Sequence, residues 1–156
     1  MVKDHMAFNW QQAEHWCEED EEIFVRPRDP HKRVDAIQSK QPIKVILGGE
    51  TVAESTNAVY LFDTGMPKRY YIPALDVRLD LLIKSGESTQ CSSIGTADDW
   101  SADINRSVVE NIAWRYSEPL AECAKIEGSY CFYNENAEEL LIDGVPVVRP
   151  ETKWSR

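Results

Sequence analysis

Few side chains in this chain of 156 residues are suited to reaction chemistry, and they are scattered. Of its four cysteines, Cys17, Cys91, Cys123 and Cys131, only Cys91 is assigned to a Gly/Ser/Thr-rich loop instead of an apolar strand, so its sulfur could face a cavity. A nucleophilic thiol has to ionise near neutral pH, which calls for an adjacent base or cation. The three histidines, His5, His15 and His31, all lie near one end and far from Cys91. The candidate catalytic set is therefore Cys91 with Asp80 or Glu50 in acid/base roles, set against a plain structural thiol. Cys131, flanked by Tyr130 and Phe132, reads as structural. No His/Cys group has metal-ligand spacing and no C-x-x-C pair occurs, so neither a metal site nor a cofactor is expected, and the cysteines read as free thiols.

A second constellation is charged and aromatic. Arg78 and Asp80 flank Leu79, and Glu50 falls at the end of an apolar run; together they read as a salt-bridge cluster or as an anchor for an anionic ligand. Tyr71, Trp100, Trp114 and Tyr116 combine apolar bulk with one hydrogen-bond donor each, which suits a core seam or a pocket wall. The leading expectation is a β module binding a small polar or anionic ligand between Tyr71, Trp100, Trp114 and Tyr116, with Arg78 as the polar anchor.

Such a site needs strands to hold it, and strands are what the pattern offers. Ile43 to Leu47 and Glu50 to Ser55 flank Gly48-Gly49, a pair that can take positive φ at both positions of a tight hairpin turn. Glu139 to Ile142 and Val145 to Val148 flank Asp143-Gly144, a second such turn. Further candidate strands are Val59 to Phe62, Arg69 to Ile72, Asp99 to Ile104, Val108 to Trp114 and Ser129 to Tyr133. Leu75 to Ile83 fits both alternation and helical spacing and is assigned to a short helix after Pro73. The sum predicts a mostly β, antiparallel fold with one or two short helices.

The net charge of −10 argues against nucleic-acid and membrane-surface partners, because it removes the attraction that dominates such binding. No segment approaches a membrane span and Met1 to Trp10 lacks a signal-peptide core, so a cytoplasmic location is expected. Glu18-Glu19-Asp20-Glu21-Glu22 reads as a solvated face or linker, with a cation site as the alternative. The two prolines of Arg26-Pro-Arg-Asp-Pro30 make an extended entry into the domain. Residues 7–14 align with residues 131–138 at a constant offset, with Phe8, Ala13 and Glu14 recurring identically. The division that follows is an N-terminal extension over 1–19, read as the end of a preceding domain copy if the echo is a true repeat, one β domain over 20–150 and a tail over 151–156. Residues 1–16 are the expected place for homodimer or tandem-domain contact, with Phe8 to Trp10 adding a strand.

Several runs together resemble a known family. Gly49-Glu-Thr-Val-Ala-Glu-Ser55, Arg69-Tyr-Tyr-Ile-Pro73, Asp76-Val-Arg78 with Leu81-Leu82, Thr89-x-Cys91, Gly95-x-Ala97-x-x-Trp100-Ser101 and Ala113-Trp-x-Tyr116-x-x-Pro119 are similar to the domain of unknown function 427 family. Trp16-x-Glu18 through Val34-Asp35 resembles the junction before the second copy in tandem bacterial members. The resemblance implies a small, folded-over, tent-like β structure without zinc cysteines. It also brings a label sometimes attached to the family, nucleotidyltransferase. The residues argue against that label, because Gly48-Gly49 lies between strands and adjacent Asp98-Asp99 point to opposite sides of a strand, where metal-dependent phosphoryl transfer needs convergent carboxylates. The chain departs from the family pattern at Cys91-Ser-Ser-Ile94-Gly95, where the family usually has Lys at the position of Ile94. If that Lys is catalytic elsewhere, this copy is inactive.

Overall fold

Turn chemistry shapes the smaller sheet. Gly48 and Gly49 take φ of 54° and 76°, and Asp143 and Gly144 take 52° and 76°, the left-handed pairs that match the twist of antiparallel hairpins. Gly48 has a second reason to lack a side chain, since a Cβ there would stand 2.9 Å from Cγ2 of Ile104. The fold comes from a computed structural model that describes residues 12–22, 33–91, 94–153 and 155. The proline-bearing stretch 26–30 and the segment 1–11, which carries Phe8 and Trp10, lie outside the described residues.

The strands in chain order are β1 (Cys17–Glu18), β2 (Glu21–Glu22), β3 (Val34–Gln38), β4 (Ile43–Leu47), β5 (Glu50–Ser55), β6 (Val59–Asp63), β7 (Arg69–Ile72), β8 (Leu82–Cys91), β9 (Gly95–Ile104), β10 (Ser107–Tyr116), β11 (Tyr130–Phe132), β12 (Glu139–Ile142) and β13 (Val145–Pro146). A seven-stranded sheet has the order β3-β6-β7-β11-β10-β9-β8, and a four-stranded sheet has the order β13-β12-β4-β5. Every pairing is antiparallel, so the expected mostly β, antiparallel architecture is the one observed. Where a short helix was expected after Pro73, there are two single 3₁₀ turns, Ala74–Asp76 and Leu79–Leu81, and Leu82 already begins β8. The helical spacing of Leu75 and Leu79 buries neither side chain, which is why no helix is held there.

Strand alternation divides the side chains of the large sheet between two environments. On one face Tyr70, Ile72, Ala102, Ala113, Tyr130 and Phe132 meet Ile43, Val45, Leu47 and Val52 of the small sheet in a closed core. On the other face Leu61, Tyr71, Ala97, Trp114, Tyr116 and Cys131 form a second cluster, capped by Cys123 and Ile126 from the 3₁₀ segment Ala121–Ile126. Burying each such Ile, Leu or Val fully is worth roughly 1.5–3 kcal/mol, so the closed core carries much of the fold.

The acidic run is a largely solvated face, with Glu19, Asp20 and Glu22 exposed, yet it is not a bare linker. It forms the small β1–β2 ribbon, and its carboxylates serve the edge strand β3. Glu21 accepts from the Gln38 amide at 2.7 Å and from Lys125 Nζ at 2.6 Å, Asp20 accepts from the Lys40 amide, and Glu19 pairs with Lys68 at 2.9 Å. Burial pushes the Glu21 carboxyl up, but the hydrogen bonds from Lys125 and Gln38 outweigh it and hold the group below its ordinary range. The Glu21 carboxylate thus occupies the Gln38 backbone donor that the edge strand would otherwise offer to another chain.

Candidate functional site

The second face of the seven-stranded sheet is incompletely filled. A hollow of about 380 Å³ opens there, walled by Tyr71 from β7, Trp114 and Tyr116 from β10, and Tyr133 just after β11. Leu61, Ile94 and Ala97 supply its apolar floor, and Arg69, Cys91, Asp63 and Lys153 reach it from the sides. The rings meet edge-on or tilted. Trp114 and Tyr71 have centroids 6.3 Å apart with planes at 88°, and Trp114 and Tyr133 are 4.3 Å apart at 51°. The indole of Trp114 donates to the Tyr71 hydroxyl at 3.0 Å, so that phenol keeps its own proton for another acceptor. Burial, first of all, raises the pKa of Tyr71, Tyr116 and Tyr133, the last to about 12, so all three hydroxyls remain donors at neutral pH.

Arg69 is the guanidinium of this hollow. It grips Glu135 with two parallel hydrogen bonds of 2.7 Å, and the two side chains are 8% and 0% exposed. Thr152 adds a donor to Glu135 at 2.8 Å. Burial alone would lower the Arg69 pKa and raise that of Glu135, but the hydrogen bonds between them win and both shifts run toward the charged forms. The guanidinium also lies 5.3 Å from the Trp114 ring centre and 5.8 Å from that of Tyr133, locking the aromatic wall in place.

A smaller hollow of about 260 Å³ adjoins the first, sharing Thr89, Tyr133 and Lys153 with it and adding Glu87, Asp99 and Asn136. Asp99 pairs directly with Trp114 across β9 and β10, which puts its carboxyl on the face of the hollow. It is 5% exposed; Oδ2 accepts from Thr89 Oγ1 at 3.0 Å, while Oδ1 is buried and has no partner. Burial raises its pKa, the Thr89 hydrogen bond opposes that, and the nearby charges of Glu87 and Asp98 add to it. Its charge is in turn felt by Tyr116 and Tyr133.

The structure gathers Tyr71, Trp114, Tyr116 and Cys91 around the larger hollow and leaves other candidates elsewhere. Trp100 pairs with Ala113, one residue out of phase with Trp114, and therefore turns to the closed core, 5.3 Å from the Tyr130 ring. Arg78 is no anchor for that hollow: its side chain is 54% exposed and doubly hydrogen-bonded to Asp80, itself 60% exposed, at 2.7 and 2.8 Å. Glu50 adds its charge to this pair, so Arg78, Asp80 and Glu50 do assemble, but as a surface cluster beside the β4–β5 hairpin. Cys91 does not sit in a loop; it ends strand β8 and faces Gly95 across the turn. Asp98 and Asp99 diverge as expected, Asp98 pairing with Lys84 at 2.8 Å. Among the described residues no three His, Cys, Asp or Glu side chains gather as a metal set, and no helix is long and apolar enough to cross a membrane.

Arg69, Glu135 and Asp99 were missed from sequence. Arg69 and Asp99 had a legible signal, because Arg69 shares the parity of Tyr71 and Asp99 that of Ala97. Glu135 had none, lying in the turn after β11.

The sequence that builds these strands matches a family. Its model, described as a domain of unknown function (DUF427), matches residues 35–143. The chain belongs to the DUF427 family. The matched region runs from β3 to the β12–β13 turn and so contains every wall of the larger hollow except Lys153. No curated protein matches the chain significantly. Ile94, which stands where the resemblance places Lys, lies against this hollow and is buried, so in this DUF427 chain that position contributes hydrocarbon and no charge.

Proposed function

We propose that this DUF427 domain binds a small molecule with a flat, apolar body in the hollow on the second face of the large sheet. The observation that carries the reading is the hollow of about 380 Å³ among Tyr71, Trp114 and Tyr116, floored by Leu61, Ile94 and Ala97. Binding sites are typically concave, mostly apolar and pre-formed, with a few polar groups that orient the ligand. Here the polar groups are phenol hydroxyls, the Asp63 carboxyl and the Lys153 ammonium at the rim, while the Arg69 charge is committed to Glu135. An anion would find Arg69 committed to Glu135 and Lys153 exposed at the rim, with the Asp63 carboxyl on the same wall, so the electrostatics favour an uncharged or positively charged ligand. The test is a thermal-shift and ligand-detected NMR screen of small aromatic compounds. Hits are expected to bind the natural chain and to be excluded by Ala97→Leu, which fills the floor; hits that bind both equally would refute the site.

A cysteine-dependent reaction is the second reading, favoured by the place of Cys91 on the wall of the hollow. It needs a base, and the wall offers no histidine. Alkylation at pH 6 decides between the two: Cys91 reacting much faster than exposed Cys17 supports the enzyme, and equal or slower reaction removes it.

A further inference from the structure

The proposed binding reading leaves Asp99 without a task, and its placement is costly. A buried carboxyl oxygen with no partner is rare, because the lost hydration of such a group is worth about 1–3 kcal/mol unless something replaces it. Nothing in the packing of β9 requires a carboxylate: the same strand buries Ala97 on this face with no polar group at all. The acid is held in place from two sides. Thr89 orients Oδ2 at 3.0 Å, and Ser85 Oγ donates to the Asp99 carbonyl at 2.9 Å. The carboxyl lines the smaller hollow, and its register partner Trp114 lines the larger one.

Resting on that reading, we propose that the two adjoining hollows form one site, and that its ligand is an aromatic or similarly flat molecule carrying an N–H-donating cationic head, an amine or amidine. The head meets the carboxylate of Asp99, and the body lies against Trp114, Tyr116 and Tyr133. Three features beyond the orphaned oxygen point the same way. Glu87 is a second carboxylate on the smaller hollow, and Asn111 already donates to it at 2.8 Å. Aromatic faces attract cations, and Arg69 shows this wall doing so at 5.3 Å from Trp114. The overall charge of −10 draws cations toward the molecule. One positive group stands against these, Lys153 at the shared rim; it is exposed and engaged in an interaction of its own, whereas Asp99 is 5% exposed. A cationic head therefore meets the acid in the interior, where solvent screens the pair least.

The experiment uses the full chain and three probes of nearly equal shape: benzamidine, benzyl alcohol and benzoate, titrated by NMR with the Trp114 indole N–H as reporter. Benzamidine is expected to bind about ten-fold or more tighter than benzyl alcohol, the margin of one charge-assisted hydrogen-bonded pair, and benzoate least of all. Asp99→Asn should erase the advantage of benzamidine and leave benzyl alcohol unchanged. Asp98→Asn removes the same charge one residue away, outside both hollows, and should keep the advantage. Equal binding of benzamidine and benzyl alcohol, or an advantage that survives Asp99→Asn, overturns the proposal while leaving a small-molecule site intact. Silence from all three probes at the reporter overturns the binding reading and this one with it.

Discussion

The two faces of the seven-stranded sheet are built from alternate residues of the same strands, yet they have been put to different ends. Toward the small sheet, Tyr70, Ile72, Ala113 and Phe132 pack against β4 and β5 in one continuous apolar cluster. Toward the opposite side, Tyr71, Trp114, Tyr116 and Cys131 are equally buried but stand around a void, with an ion pair and an unpartnered carboxyl among them. Stability is served by the first arrangement and sacrificed in part by the second, the pattern expected when a scaffold carries a site. Burial alone would not have separated the two; what separates them is whether polar groups are satisfied and whether space is filled.

The comparison is most severely broken at the ion pair. Glu135→Ala leaves the Arg69 guanidinium buried without its partner and should cost about 3–5 kcal/mol in urea denaturation, with the Trp114 environment disturbed in near-UV circular dichroism. A loss below about 1 kcal/mol would mean that the pair is solvated and the wall looser than described. Next in size is a matched pair of substitutions on β9. Ala102→Leu forces bulk into the closed core and should cost about 1–3 kcal/mol, whereas Ala97→Leu enters the hollow and should cost less than about 1 kcal/mol. Equal costs would erase the distinction between the faces.

Asp99→Asn has the opposite sign. Removing a buried, incompletely paired charge should raise stability near pH 7 by about 1 kcal/mol, read as a higher midpoint of unfolding. The two carboxyls also differ with pH. The Asp99 pKa is raised on folding, so the folded chain holds that proton more tightly, and its penalty grows as pH rises from 3.8 through the raised value. The Glu135 pKa is lowered, so its contribution is complete above 4.5 and fades as pH falls through the depressed value. The advantage of Asp99→Asn should therefore vanish in acid, below about pH 4, and an advantage independent of pH would show that charge burial is not its source.

Reading the residues alone recovered the interior of the fold better than its borders. Both hairpin turns and the strands beside them are stated by a Gly-Gly and an Asp-Gly pair between apolar runs, a local signal. The two edge strands of the large sheet, β3 and β8, went unassigned for a physical reason. An edge strand faces water along one side, so Lys84-Ser-Gly-Glu-Ser-Thr-Gln90 has no apolar alternation to display. That omission misplaced Cys91 in a loop. Trp100 and Trp114 look interchangeable until strand register is known, and the pairing of Trp100 with Ala113 assigns them to different faces. Arg78 drew notice through its charged neighbours, but it needs no burial to be satisfied by Asp80. Arg69 sat unremarked in an aromatic strand, where parity with Tyr71 pointed to the hollow.

One irregularity acts on the sheet as a reading frame acts on a message. Between Val109 and Ala113, β10 spends two more residues than β9 does in covering the same span, with Asn111 at φ 47° absorbing the surplus. Everything downstream is phased by that insertion. A deletion of one residue there would translate Trp114 and Tyr116 into the interior and send Ala113 outward, exchanging the meaning of every later position on the strand. Such a chain tolerates changes of letter far better than changes of length at this point, and homologues that alter the count near Asn111 must compensate within a few residues or lose the wall altogether.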